Sequence, residues 1–179
     1  MEKRVASVGS GLALAAFVGA LFGPPAVRAQ HAEEHAAPKP VTLLSGLGTH
    51  RHPIATSSPE AQKYFDQGMV MLFGFNHEEA YRAFEKAAQL DPTAAMPHWG
   101  MALVTGANYN DVEPEVNRLK RARAEVDKAL ALSTAGPENE RAYVEALAKR
   151  YVADPASADK AALAHDYNAA MRALSQKYP

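Results

Sequence analysis

The stretch that most constrains the fold is residues 58–92, which has the pattern of two amphipathic helices joined by a short turn. Ser58 precedes Pro59, the order expected of a helix N-cap and a first helical position. Asn76 is followed three residues later by Glu79, the spacing of a capping box, so a second helix is predicted to begin there. The apolar residues of both segments recur at helical spacing, which predicts that the two helices pack against each other.

The second of these helices carries Ala80, Phe84 and Ala87 at steps of four and three residues, and Pro92 marks its end. Together with Gly68 in the first helix, this pattern resembles a tetratricopeptide (TPR) repeat, a helical hairpin of about 34 residues. An ordinary helical hairpin with coincidental spacing is the alternative. The resemblance implies a set of repeat-packing positions, several of which hold small residues that let the helices approach closely. These positions are Tyr64, Gly68, Met71, Ala80, Phe84, Ala87 and Pro92.

The remainder of the chain repeats this pattern more loosely. The segments FNHEEAYRAF and WGMALVTGANYN resemble the first repeats of exported bacterial TPR proteins. No segment shows the strict alternation of β-branched and polar residues that is typical of a strand, so no sheet is predicted. We therefore predict an all-α fold in which about three antiparallel helix pairs stack as a TPR-like right-handed solenoid, with Ser157 capping the sixth helix. The predicted pairs are residues 58–92, 93–134 and 137–179.

The first residues have the pattern of a cleavable signal peptide, with Lys3 and Arg4 before an apolar run and Val27-Arg28-Ala29 as a cleavage site. A retained membrane anchor is the alternative. Cleavage after residue 29 predicts a periplasmic or secreted protein with no stable membrane insertion. Cysteine is absent from the sequence, so disulfide bonds are excluded. Without the net +2 of residues 1–29, the overall charge of −1 becomes about −3, and no basic face suggests a nucleic-acid partner.

Residues 30–57 are predicted to be a flexible linker followed by an extended strap. The linker is rich in polar residues and proline. The strap contains Val41, Leu44 and Ile54, which are apolar enough to pack against the first helix pair.

The resemblance implies a concave groove lined by the first helix of each pair. TPR domains that clamp a terminal carboxylate use basic residues where this chain has Phe65 and Met69, so an apolar protein or peptide partner is predicted instead. Filling of the groove by the strap is an alternative. The last helix has apolar residues on more than one face, so we predict that it either is followed by further repeats or self-associates. The predicted groove residues are Gln62, Phe65, Met69, Leu72, Phe73, Met96, Trp99 and Leu103.

An enzymatic function is not predicted, because the sequence offers no nucleophile with a base, no phosphate-binding loop and no paired acid and base. The competing hypothesis is a transition-metal-binding protein or metalloenzyme of the cell envelope. Its weak candidate ligands are His50, His52 and His77, which lack the spacing of a known metal site. No cofactor is predicted, and the expected function is that of a scaffold or adaptor.

Overall fold

The computed structural model describes residues 40–179, and this part of the chain is all-helical. The prediction of an all-α fold is confirmed, since the described residues contain no strand, only an isolated bridge between Asn108 and Asp111. The predicted signal peptide and the first part of the linker lie outside the described residues. The helices are α1 (Pro59–Phe73), α2 (His77–Leu90), α3 (Ala95–Thr105), α4 (Val116–Ser133), α5 (Glu138–Ala148) and α6 (Lys160–Lys177).

Side-chain caps fix where several helices begin. The Ser58 hydroxyl accepts a hydrogen bond from the Ala61 N–H, and the Asn76 side-chain oxygen accepts one from the Glu79 N–H, as predicted. The predicted cap at Ser157 is wrong. Its hydroxyl donates to Asp154, and the carboxylate of Asp159 caps α6 instead.

The helices pack mainly against their neighbours in the chain. Contacts join each consecutive pair from α1 to α6, and α3 also contacts both α1 and α5. Helix α3 therefore lies at the centre of the described part, and nine of its eleven residues are buried. The outermost helix, α6, buries only Leu174 and half-buries Leu163, Tyr167 and Met171. Within residues 40–179, none of the helices is long and apolar enough to cross a membrane.

The ring of Phe84 is the centre of the core. Its exposed fraction is 0%, and its centroid lies 5.2 Å from that of Phe65. The ring faces a glycine on each of two other helices, Gly68 on α1 and Gly100 on α3. A Cβ atom at either glycine would lie within 2.8 Å of Phe84 ring carbons, so the absence of a side chain permits the close approach of three helices. Of the predicted repeat-packing residues, all but the exposed Pro92 are buried or half-buried.

Replacement of Gly68 by alanine tests this packing. Alanine favours a helix by about 1 kcal/mol over glycine, but its Cβ would lie 2.5 Å from Cε1 of the completely buried Phe84 ring. We expect a net loss of about 1–3 kcal/mol in the free energy of unfolding, measured by urea denaturation. If the ring is the cause, the Gly68→Ala/Phe84→Leu double variant will lose less than the sum of the single losses. A stabilised Gly68→Ala protein would contradict this packing.

Candidate functional site

Most of the predicted groove residues are buried or half-buried and are not exposed along an open groove. Phe65 and Met96 are completely buried, and Phe73 is the one clearly exposed member, at 70%. Apart from Phe73, the apolar side chains belong to the hydrophobic core or pack against it. The other predicted groove residues are Gln62, Met69 and Trp99, which are buried, and Leu72 and Leu103, which are half-buried.

The strap lies along one edge of α1, and side chains of α1 hold it there. The amide of Gln62 accepts from the Ile54 N–H at 2.9 Å and donates to the His52 carbonyl at 2.9 Å. The amide of Gln67 makes the same pair of bonds to Leu44 N–H and the Thr42 carbonyl, at 2.8 and 3.1 Å. Two glutamines therefore bind an extended backbone much as a bound peptide would be held, and the occupant is the chain's own residues 41–57.

Two buried carboxylates hold the end of the strap nearest α1. Asp91 accepts from the Thr56 hydroxyl at 2.6 Å and the Ser57 N–H at 2.9 Å, and it also accepts from Thr93. The hydrogen bond from Thr56, with those from Thr93 and Ser57, lowers the pKa of Asp91 far below its usual range. Glu140 on α5 accepts from the Ala55 N–H, and burial raises its pKa.

The three candidate metal ligands are not brought together. The His52 ring packs between Phe65 and Tyr143, with centroid distances of 5.8 and 5.9 Å. Burial, followed by the nearby His50, lowers the pKa of His52. His77 begins α2 and lies against Phe75. Across residues 40–179, no group of three or more His, Asp or Glu side chains is placed to hold a metal ion.

The structure places the clearest candidate site at one edge of the helices, in a cleft between the α1–α2 turn and the loop from residue 106 to 115. Its volume is about 510 Å³. Both segments on which the family resemblance depends contribute to it, Phe75 and His77 from one and Asn108 and Asn110 from the other. The remaining lining residues are Glu78, Tyr81, Arg82, Val104, Thr105, Asp111, Arg118 and Arg121.

Phe75 occupies an unusual backbone position in the α1–α2 turn. Its N–H donates to the Leu72 carbonyl and the Asn76 N–H to the Met71 carbonyl, the two bonds of a Schellman motif. That motif requires a left-handed residue, usually glycine, and here Phe75 adopts it with φ of 60°. The neighbouring Gly74 keeps a negative φ of −82°. A left-handed conformation costs a residue with a Cβ about 1–2 kcal/mol, yet the side chain that it positions is 59% exposed.

The opposite wall of the cleft is held by internal hydrogen bonds. The Asn108 side-chain oxygen accepts from the N–H groups of Asn110 and Asp111. Arg118 donates to the carbonyls of Thr105 and Gly106 and pairs with Asp111. This frame leaves Tyr109 90% exposed at the tip of the loop.

The charges in the cleft are mixed and include an accessible cation. Arg118 is committed to the loop, and Arg82 pairs with Glu79 at 2.6 Å. Arg121 is exposed and makes no hydrogen bond or ion pair with another residue of the described chain. Burial raises the pKa of Tyr81, with Glu125 adding to the shift, so its phenol is neutral at physiological pH. The cleft therefore combines the exposed ring of Phe75 and the half-buried ring of Tyr81 with a guanidinium. Aromatic residues and arginine are enriched at protein–protein contacts.

Sequence reasoning missed Phe75 and Arg121 as site residues and gave no role to Tyr109 in the loop that borders the cleft. The sequence predicts a turn between the first two helices, but it assigns no partner-binding residue to that turn or to the 106–115 loop. One signal was present, because an aromatic residue stands in each turn where small polar residues are usual.

Comparison with models of protein families, with curated proteins and with solved structures finds no match.

Proposed function

We propose that this chain is a TPR-like adaptor that binds a protein partner and has no reaction centre of its own. The proposal includes a stack of three hairpins with the right-handed twist of a TPR solenoid. The order of the helix contacts supports the stack, because each helix packs on the next and α1, α3 and α5 form a continuous row through α3.

The partner-binding surface of this proposal is the cleft between the α1–α2 turn and the 106–115 loop. One observation carries it: the strained, exposed Phe75 faces a cleft whose opposite wall is the 106–115 loop, which is held by its own hydrogen bonds. Strain is retained where a site requires a fixed geometry, and it is otherwise removed by a glycine at that position. The α1 groove is a poorer candidate, because residues 41–57 already occupy it.

The chemistry of the cleft specifies the kind of partner. Phe75 offers apolar contact area in the cleft, and Arg121 offers a charge for a carboxylate. Tyr109 does not line the cleft, but it is exposed and stands in the chain between two residues that do, Asn108 and Asn110. The partner is therefore a protein segment with apolar anchor side chains beside an acidic one. The signal-peptide pattern supports a partner in the periplasm or outside the cell, and the weakly acidic composition supports a protein rather than a nucleic acid.

The experiment is photo-crosslinking with p-benzoylphenylalanine at position 109 in the producing cell, with position 44 on the exposed strap as the matched control. Leu44 is 51% exposed and lies away from the cleft. We expect a discrete polypeptide adduct from position 109 that is absent from position 44. Adding Phe75→Gly to the same chain should reduce the adduct at least about tenfold.

Phe75→Gly separates binding from folding. Glycine adopts positive φ readily, so this variant should keep its stability or gain up to about 1 kcal/mol, checked by thermal unfolding. An adduct at position 109 that is unaffected by Phe75→Gly, or equally strong at position 44, would refute the proposed surface.

A further inference from the structure

A second cavity lies on the other side of the 106–115 loop, where that loop meets the segment between α5 and α6. Its volume is about 280 Å³, close to the lower limit of small-molecule sites. Unlike the first cleft, its walls are mostly apolar. The principal wall residues are Val112, Leu119, Val152, Pro155, Leu163 and Ala164.

Hydrogen bonds from the end of α5 fix the shape of this cavity. The Tyr151 hydroxyl donates to the Ala102 carbonyl at 3.0 Å, and burial raises its pKa to about 12, so it stays neutral. The Arg150 guanidinium donates to the Ala107 carbonyl at 2.7 Å and lies 5.1 Å from the centre of the Tyr167 ring. The segment that follows α5 is thereby fastened to α3 and to the 106–115 loop, so these two walls of the cavity are held in place.

Two cations lie at the border of the apolar walls. Arg150 is half-buried and uses only one nitrogen in hydrogen bonds to the described residues, so its other N–H groups remain for a ligand. Lys160, at the start of α6, pairs with Glu113 at 3.6 Å between exposed side chains. Such a pair contributes about 1 kcal/mol or less, so a ligand anion can compete for the lysine. Among the described residues, Glu113 is the one carboxylate that lines the cavity.

From this arrangement we propose that the cavity binds a small carboxylate with an apolar tail, such as a medium-chain fatty acid. The tail lies against the apolar walls, and the carboxylate accepts hydrogen bonds from Arg150 and Lys160. A ligand with an apolar body and one negatively charged end matches both parts of the lining, the apolar walls and the two cations.

The test is calorimetric titration of the purified chain with octanoate and, in parallel, with octan-1-ol. The two molecules share a tail and differ in the charged group, so octanoate should bind about tenfold more tightly. Equal affinities would overturn the assignment to carboxylates. The absence of octanoate binding would overturn the site itself. Affinity for acetyl-Leu-Leu at least tenfold above that for octanoate would instead assign the cavity to a peptide terminus and also refute the proposal.

Two pairs of variants locate the binding. Ala164→Trp places a ring in the cavity, whereas Ala169→Trp places one on an exposed position of the same helix that does not line it. Only the first should abolish octanoate binding. Lys160→Gln should weaken octanoate about two- to fivefold without changing octan-1-ol, and Lys149→Gln, an exposed lysine outside the cavity, should change neither. Equal effects of the two tryptophans would refute the location.

Discussion

Replacing Phe84 with alanine is expected to lower the free energy of unfolding by about 3–5 kcal/mol, the largest effect of any single substitution considered for this chain. The ring is completely buried and packs on Phe65. It also fills the space left open by Gly68 and Gly100, so its removal empties a volume that three helices share. The glycines cannot refill that space, because they have no side chain to reorient.

Chemical denaturation of the purified protein measures this loss, and Phe73→Ala is the matched control. Phe73 is the last residue of α1, the helix that precedes the one carrying Phe84. Because Phe73 is 70% exposed, its replacement should change the free energy of unfolding by no more than about 0.5 kcal/mol. Similar losses for the two variants would mean that the α1–α2–α3 contact is not the centre of the core.

The helix pattern could be predicted because it depends on local chemistry. Ala80, Phe84 and Ala87 share one face by their spacing alone, and all three are fully buried. Caps such as Ser58 and Asn76 act within one turn, so their partners are close in sequence. The contact of Phe84 with Gly100 could not be predicted in this way, because it depends on how separate helices cross.

Sequence patterns left open whether the groove is filled by the strap, for a related reason. Helical spacing shows that Phe65 and Met69 share an apolar face, but it does not show what covers that face. The cover is the hydrophobic core, and the strap lies beside it, bonded to Gln62 and Gln67 through its backbone. Backbone hydrogen bonds leave no trace in side-chain periodicity.

The candidate site depends on a shift of one residue that sequence patterns do not resolve. Glycine is the usual left-handed residue after a helix, so Gly74 is the natural choice for the turn. The helix instead extends far enough to place Phe75 in that position. This register exposes the ring, and a helix boundary predicted from sequence alone is not accurate to one residue.

The second large effect is expected at the strap. Asp91→Asn should lower the free energy of unfolding by about 2–3 kcal/mol at pH 7, because a buried acceptor for Thr56, Ser57 and Thr93 is replaced by an amide that also donates. Asp91 is only 5% exposed, so water does not easily take over these bonds. Denaturation at pH 7 measures the loss. Asp127→Asn removes an exposed carboxylate paired within one helix and should cost about 0.5 kcal/mol or less.

The pH dependence identifies the cause. Hydrogen bonds from Thr56, then Thr93, place the pKa of Asp91 below its unfolded value of about 4. The stabilisation is therefore complete above about pH 4 to 5 and is lost as the pH falls toward the folded pKa. The difference in the free energy of unfolding between the wild type and Asp91→Asn should therefore shrink as the pH falls below about 4 to 5. A difference that stays constant down to about pH 2 would show that the charge of Asp91 does not hold the strap.

Glu140 provides the opposite case on the same strap. Burial raises its pKa, so its charged form opposes folding above that pKa and the opposition disappears as the pH falls. Glu140→Gln keeps an oxygen to accept from the Ala55 N–H without burying a charge. Its stability at pH 7 should equal that of the wild type or exceed it by up to about 1 kcal/mol, as measured by denaturation. The strap is thus held at adjacent residues by one carboxylate that must be charged and one that need not be.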